Sequence, residues 1–233
     1  MIDVPQLLES LSRERPVFHS EADFQFALAL AMHQHHPQLT IRMEKTEIIN
    51  NQNARVDIFA YAKGQVALME LKYWARALRV QVQLADDEFE TYSLSNRGAQ
   101  LLGRYDFFRD LMRLETLVQK YARKNIEAVG YTVVLTNDSA YWKPPGEEDV
   151  FYYDFRLTEG RTLWSGETLH WGEGASQGTI QGREQPITLR HTYTLRWERY
   201  SNCLTHLLVK PYEDERVRHG EFRYLLLRVP PEG

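Results

Sequence analysis

Asn53-Ala-Arg-Val-Asp57-Ile-Phe-Ala-Tyr-Ala-Lys63-Gly64-Gln-Val-Ala-Leu-Met-Glu70-Leu-Lys72-Tyr-Trp74 consists of two strand-like runs that meet at a glycine-containing turn. Val56 to Tyr61 and Val66 to Tyr73 are rich in β-branched, aromatic and apolar residues, the composition of a β-hairpin. With Lys63-Gly64 as a two-residue turn, or 62–65 as a symmetric four-residue loop, Tyr61 pairs with Val66, Phe59 with Leu68, and Asp57 with Glu70. Side chains directly opposed across two strands lie about 4.5–5.5 Å apart at Cβ, and like charges so placed destabilise a sheet unless something offsets them. A divalent cation is the natural offset, and Mg²⁺ accepts one or two carboxylates with water and phosphate oxygens completing its shell. The second run is apolar on both faces from Val66 to Met69, as in a covered central strand, so Glu70 and Lys72 interrupt a pattern that would otherwise continue. The competing, purely structural interpretation makes Glu70 and Lys72 the wet end of a strand and Asp57 a turn cap near 50–53.

At these positions the chain resembles the PD-(D/E)XK nuclease superfamily, whose signature is an acid on one strand and an acid-x-Lys on the next. The matching residues are Asp57 and then Glu70-Leu71-Lys72; Val56 stands where the family has proline. The resemblance implies an α/β restriction endonuclease-like core, a mixed β-sheet flanked by helices. It also implies Mg²⁺-dependent phosphodiester hydrolysis of nucleic acid, DNA ahead of RNA, with Mn²⁺ as a substitute ion. Asp57, Glu70 and the main-chain carbonyl of Leu71 become the metal ligands, and Lys72 orients the attacking water or helps to deprotonate it. Many members draw a further acid from the first core helix. Glu21 is the matching residue, a catalytic and metal-binding candidate that equally suits the positive end of a helix dipole.

The 233 residues suffice for one full core, and 26% charged with a formal net charge of -4 argues against nucleic-acid binding through bulk charge. The expectation is a single domain over 1–233: a core over about 18–138, a loop- and hairpin-rich insertion over about 141–188, and C-terminal strands over about 190–229. The acidic first residues lack the plan of a signal peptide, no run is long enough to span a membrane, and Cys203 is the lone cysteine. A cytoplasmic protein with no membrane partner is expected, and a homodimer is compatible with the sequence.

Ser20-x-x-Asp23 opens a helix in the manner of a capping box, placing Glu21 in its first turn with Gln25 one turn on. The histidines at 33, 35 and 36 precede Pro37 and read as helix-end residues rather than metal ligands. Thr40 to Ile49 reads as a strand. Residues 76–93 read as a second hairpin around Asp86-Asp87, with Leu78, Val80 and Val82 matched by Phe89, Thr91 and Ser93. A long helix over Leu101 to Lys124 has Phe107, Phe108, Leu111, Leu114, Val118, Tyr121 and Ala122 on one face. Arg109, Arg113, Lys120, Arg123 and Lys124 fall on an opposing arc. That arc is a candidate nucleic-acid surface, although Asp106 and Asp110 at i-3 from Arg109 and Arg113 suit an ordinary solvated helix. Glu127 to Thr136 is the next strand, and Thr192 to Tyr200 and Phe222 to Val229 are expected to extend the sheet. Two alternatives remain open: a nuclease-like module that binds nucleic acid or protein without cutting, and a structural subunit contacting partners through its tryptophan-rich segment.

Overall fold

The computed structural model describes residues 2–49, 51–98, 100–145, 150–213 and 216–231. In chain order its principal elements are α1 (Val4–Glu14), α2 (Glu21–His35), β1 (Thr40–Ile49), β2 (Gln52–Ala62), β3 (Gln65–Trp74), β4 (Leu78–Ala85), β5 (Glu88–Leu94), α3 (Gln100–Ala122) and β6 (Glu127–Thr136). Short strands follow: β7 (Thr162–Leu163), β8 (Thr168–Leu169), β9 (Ile187–Thr188) and β10 (Tyr193–Thr194). The chain then ends with β11 (Trp197–Asn202), β12 (Val209–Pro211) and β13 (Glu221–Val229).

Lys63 and Gly64 both take positive φ, 47° and 80°, and Ala62 pairs with Gln65. Two central residues with positive φ are the mark of a tight hairpin turn whose twist matches that of its strands. The turn fixes the register Tyr61 with Val66 and Phe59 with Leu68. The sheet is six-stranded and mixed, ordered β1-β2-β3-β6-β13-β11, with β3 and β6 parallel and the other neighbours antiparallel. Central β3 is covered on both faces, which explains its nearly continuous apolar run. On one face Met69, Leu71 and Tyr73 pack with α1, α2 and the small β12-β4-β5 sheet. On the other, Leu68 and Trp74 pack with α3 and the segment after β6.

Two expectations are corrected. In the 76–93 hairpin the residues of β5 that join the core are Tyr92 and Leu94; Phe89, Thr91 and Ser93 face outward. The pairing shifts between Gln83 and Ala85, so one extra residue on β4 turns the following strand over, since a one-residue slip exchanges its two faces. The expected strand Thr192 to Tyr200 is two strands. β10 pairs with β7 of the insertion, whereas β11 pairs with β13 at the edge of the main sheet, which the late strands extend.

The insertion is anchored to α3 by Glu115, which is fully buried and accepts hydrogen bonds from the backbone N–H groups of Arg190 and His191 and from the Tyr193 hydroxyl. Trp142 packs on Trp197, and Trp171 stacks on Tyr105 and bonds the carbonyl of Arg183, whereas Trp164 is exposed. Among the described residues no helix is long and apolar enough to cross a membrane.

Candidate active site

The ladder between β2 and β3 ends at Ile58 with Met69, one pair short of Asp57 and Glu70. Beyond that point β3 pairs only with β6, through Glu70 to Trp74. Its other edge exposes the N–H groups of Leu71 and Tyr73, and two carboxylates take the place of the missing strand. Asp57 Oδ2 accepts from Leu71 at 2.6 Å and Glu21 Oε2 accepts from Tyr73 at 2.9 Å. A residue in a strand projects its N–H and C=O to the same edge, so the carbonyls of Leu71 and Tyr73 border this gap as well. Asp57 and Glu70 therefore do not form a face-on cross-strand pair: Asp57 turns into the opening while Glu70 points toward α3.

Helix α2 holds the strands apart. Ser20 caps its first turn by accepting from Asp23 N, which places Glu21 at the gap. One turn later the buried Gln25 donates to the main-chain carbonyl of Asp57 at 2.5 Å and to Glu44 at 3.1 Å. The β1–β2 ladder is interrupted at the same level. Met43 pairs with Ile58 and Lys45 with Val56, while the intervening Glu44 has φ of 53°. A left-handed glutamate is a strained conformation of the kind that collects at functional sites. Asp57 thus stands where pairing is broken on both sides.

Glu70 and Lys72 face α3 and meet charges there. Arg113 donates to Glu70 at 2.6 Å and lies 3.2 Å from Asp110, and Lys72 lies 2.9 Å from Asp110. Three carboxylates, Asp57, Glu70 and Asp110, thus share two cations. Burial raises the Asp57 carboxyl to about 6, with Glu21 and Glu44 adding to the rise against the pull of the Leu71 N–H and Lys72. Burial also raises Glu70, reinforced by Asp110 and Asp57 and opposed by Arg113 and Lys72. Burial alone would lower Lys72, but Asp110, Glu70 and Asp57 outweigh it, so the amine is held firmly as an ammonium.

Lys72, Glu21, Asp110 and Arg109 line one cleft of about 160 Å³. Glu21 is 42% exposed there, with Arg97 at 3.9 Å. The proposed basic surface is divided. Arg113 points into the carboxylate cluster, and Arg109 pairs with Asp106 at 2.8 Å at the cleft mouth. Lys120 is committed to Glu47 at 2.6 Å and to the carbonyl of Ile48, and Lys124 lies exposed past the end of α3. Glu47 is itself buried. Against that burial Lys120, Lys45 and Tyr121 hold its carboxyl down at about 2.

Asp110, Gln25 and Glu44 belong to the site without having been assigned to it from sequence. Asp110 carried a signal, since it interrupts the apolar row Phe107, Leu114 and Leu117 at helical spacing, and Gln25 carried one in standing a turn beyond Glu21; Glu44 carried none that local pattern exposes. Among the described residues no three His, Cys, Asp or Glu side chains converge as a ready metal-ligand group. The donors are a pair of hard carboxylates beside a main-chain carbonyl, in surroundings with one negative charge in excess. That set fits Mg²⁺, which takes few protein ligands and retains water. Comparison of the chain with family models, with curated proteins and with solved structures finds no match.

Proposed function

We propose that this chain is a Mg²⁺-dependent nuclease of PD-(D/E)XK type with a restriction endonuclease-like core, cleaving phosphodiester bonds in nucleic acid, DNA in preference to RNA. The observation that carries the proposal is the placement of two acids, half-buried Asp57 and buried Glu70, with Lys72 where β2 and β3 part, Asp57 accepting from Leu71 N across the gap. Carboxyl groups raised by burial and by neighbouring acids, as Asp57 and Glu70 are, collect at functional sites, and Lys72 beside them opens to the cleft that Glu21 and Asp110 also line. Asp57, Glu70 and the carbonyl of Leu71 would hold the ion, with Glu21 as a further oxygen donor; when bound, Mg²⁺ or Mn²⁺ stabilises charge developing on the phosphate. Lys72, held 2.9 Å from Asp110, would serve as an ammonium orienting the attacking water and the scissile phosphate. Asp110 holds that ammonium in place, and Arg113 braces both acids.

The test is cleavage of labelled single- and double-stranded DNA and RNA across Mg²⁺ and Mn²⁺ concentrations. Absence of cleavage on every substrate by the folded protein overturns the proposal. One observation favours a second reading, a nuclease-like binding module: Arg113 already occupies an oxygen of Glu70. Under that reading nucleic acid is bound without cleavage and without dependence on Lys72.

A further inference from the structure

Three residues that each hold a buried side-chain atom without a hydrogen-bond partner, Arg76 (Nε), Arg104 (Nε) and Thr158 (Oγ1), border a single cavity. The cavity, about 420 Å³, lies beyond the C-terminal ends of the parallel strands β3 and β6, against the first turns of α3. Arg104 is only 5% exposed; it donates to the carbonyl of Ala140 at 2.6 Å and lies over the rings of Tyr141 and Tyr152. Among the described residues it has no carboxylate within ion-pair distance. Burial therefore pulls its guanidinium below the ordinary arginine range. Arg76, Lys143 and Arg156 line the same space, and among the described residues the one carboxylate there is Asp138. Asp138 is already engaged by Gln100 and by Ala140 N, and lies 4.0 Å from Arg76 Nε. Among the described residues four cationic side chains thus border the cavity against one carboxylate, and burying a cation such as Arg104 without a direct ion-pair partner is costly.

We propose that this cavity binds a phosphate group carried by a nucleotide. Guanidinium groups match phosphate oxygens with two parallel donors, and the N-terminal end of a helix as long as α3 adds favourable potential for an anion. The volume falls within the range of roughly 300–1,000 Å³ typical of small-ligand pockets, so it admits more than the phosphate alone. This cavity and the cleft beside Lys72 share no lining residue, so this phosphate is distinct from one beside Lys72. The pocket stands on its own geometry and does not require the nuclease activity.

The experiment is calorimetric titration in EDTA, where cleavage cannot intervene, using inorganic phosphate and a tetranucleotide bearing a 5′-phosphate, a 3′-phosphate or neither. A terminal phosphate as the source gives at least tenfold tighter binding of one phosphorylated form. An internal phosphodiester as the source gives equal binding of all three. In both cases inorganic phosphate competes, and Arg104→Met and Arg156→Gln each weaken binding tenfold or more. Failure of inorganic phosphate to compete, or wild-type affinity in both variants, overturns the proposal. Arg156→Gln with Lys143→Gln, both nearer the surface, carries the same test should Arg104→Met not fold. Lys72→Ala retains phosphate binding, so loss of cleavage in that variant leaves this inference untouched.

Discussion

Replacing Asp57 by asparagine should stabilise the metal-free protein at neutral pH while removing its response to Mg²⁺. The folded chain raises the Asp57 carboxyl from 3.8 to about 6, chiefly by burial. The folded state therefore holds this proton more tightly than the unfolded state, and stability falls as pH rises from about 4 to about 6. Each pH unit across that window is worth ~1.4 kcal/mol, so the full penalty at pH 7.5 approaches about 3 kcal/mol. Partial exposure of the carboxyl reduces the expected gain to about 1–3 kcal/mol, or roughly 2–10 °C in Tm for a chain of this size. Asparagine keeps an oxygen to accept from Leu71 N, so the substitution does not orphan that donor. Glu70, raised by burial, Asp110 and Asp57, contributes a dependence of the same sign. The assay is thermal melting of both proteins in EDTA from pH 3.5 to 8, repeated with Mg²⁺. The variant should match wild type near pH 3.5 and exceed it at pH 7.5. Wild type should gain ~1.4 kcal/mol at tenfold Mg²⁺ over its Kd while the variant gains little. A variant less stable at pH 7.5 than wild type, or stabilised equally by Mg²⁺, refutes the link between burial of Asp57 and metal binding.

Lys72→Ala should abolish cleavage with folding and nucleic-acid binding largely retained, and Lys72→Arg should restore little, because a planar fork fits poorly where a compact ammonium meets Asp110; wild-type cleavage by the alanine variant defeats the proposed role. Glu115→Ala leaves two backbone N–H groups and the Tyr193 hydroxyl without their acceptor, at ~1–3 kcal/mol for each group that stays dry. Denaturant melting should show a loss of about 3 kcal/mol or more, and limited proteolysis should cut first within 150–196. Lys120→Glu should cost about 1–3 kcal/mol, below the ~3–5 of a fully broken buried pair, because Lys45 and Tyr121 still hold Glu47. Its salt slope for nucleic-acid binding should be unchanged; a decrease of ~0.9 in that slope would instead assign Lys120 a phosphate contact.

Elements whose cause is local were legible in the chain. The Lys63-Gly64 turn needs two residues at positive φ and a glycine in one of them, and once placed it dictates which residues of β2 and β3 face each other. Ser20 caps α2 through its own hydroxyl, so Glu21 is committed to the first turn without help from the rest of the fold. The apolar run of Val66 to Met69 announces a strand covered on both faces, and the charges at Glu70 and Lys72 stand out against it. Tertiary structure decided what those charges meet. Splaying of β2 from β3 accompanies the bond of Gln25 to the Asp57 carbonyl, 32 residues away, and the left-handed turn at Glu44, and periodicity shows neither that bond nor that turn. The bulge that turns β5 over adds one residue to β4 and leaves composition unchanged, so alternation alone chose the wrong face. The basic arc of α3 obeyed helical geometry, yet geometry along one helix cannot say which acids arrive across it. Arg113 and Lys120 were claimed by Glu70 and Glu47 from β3 and β1, because a buried carboxylate demands a partner more strongly than a cation on a helix surface demands solvent.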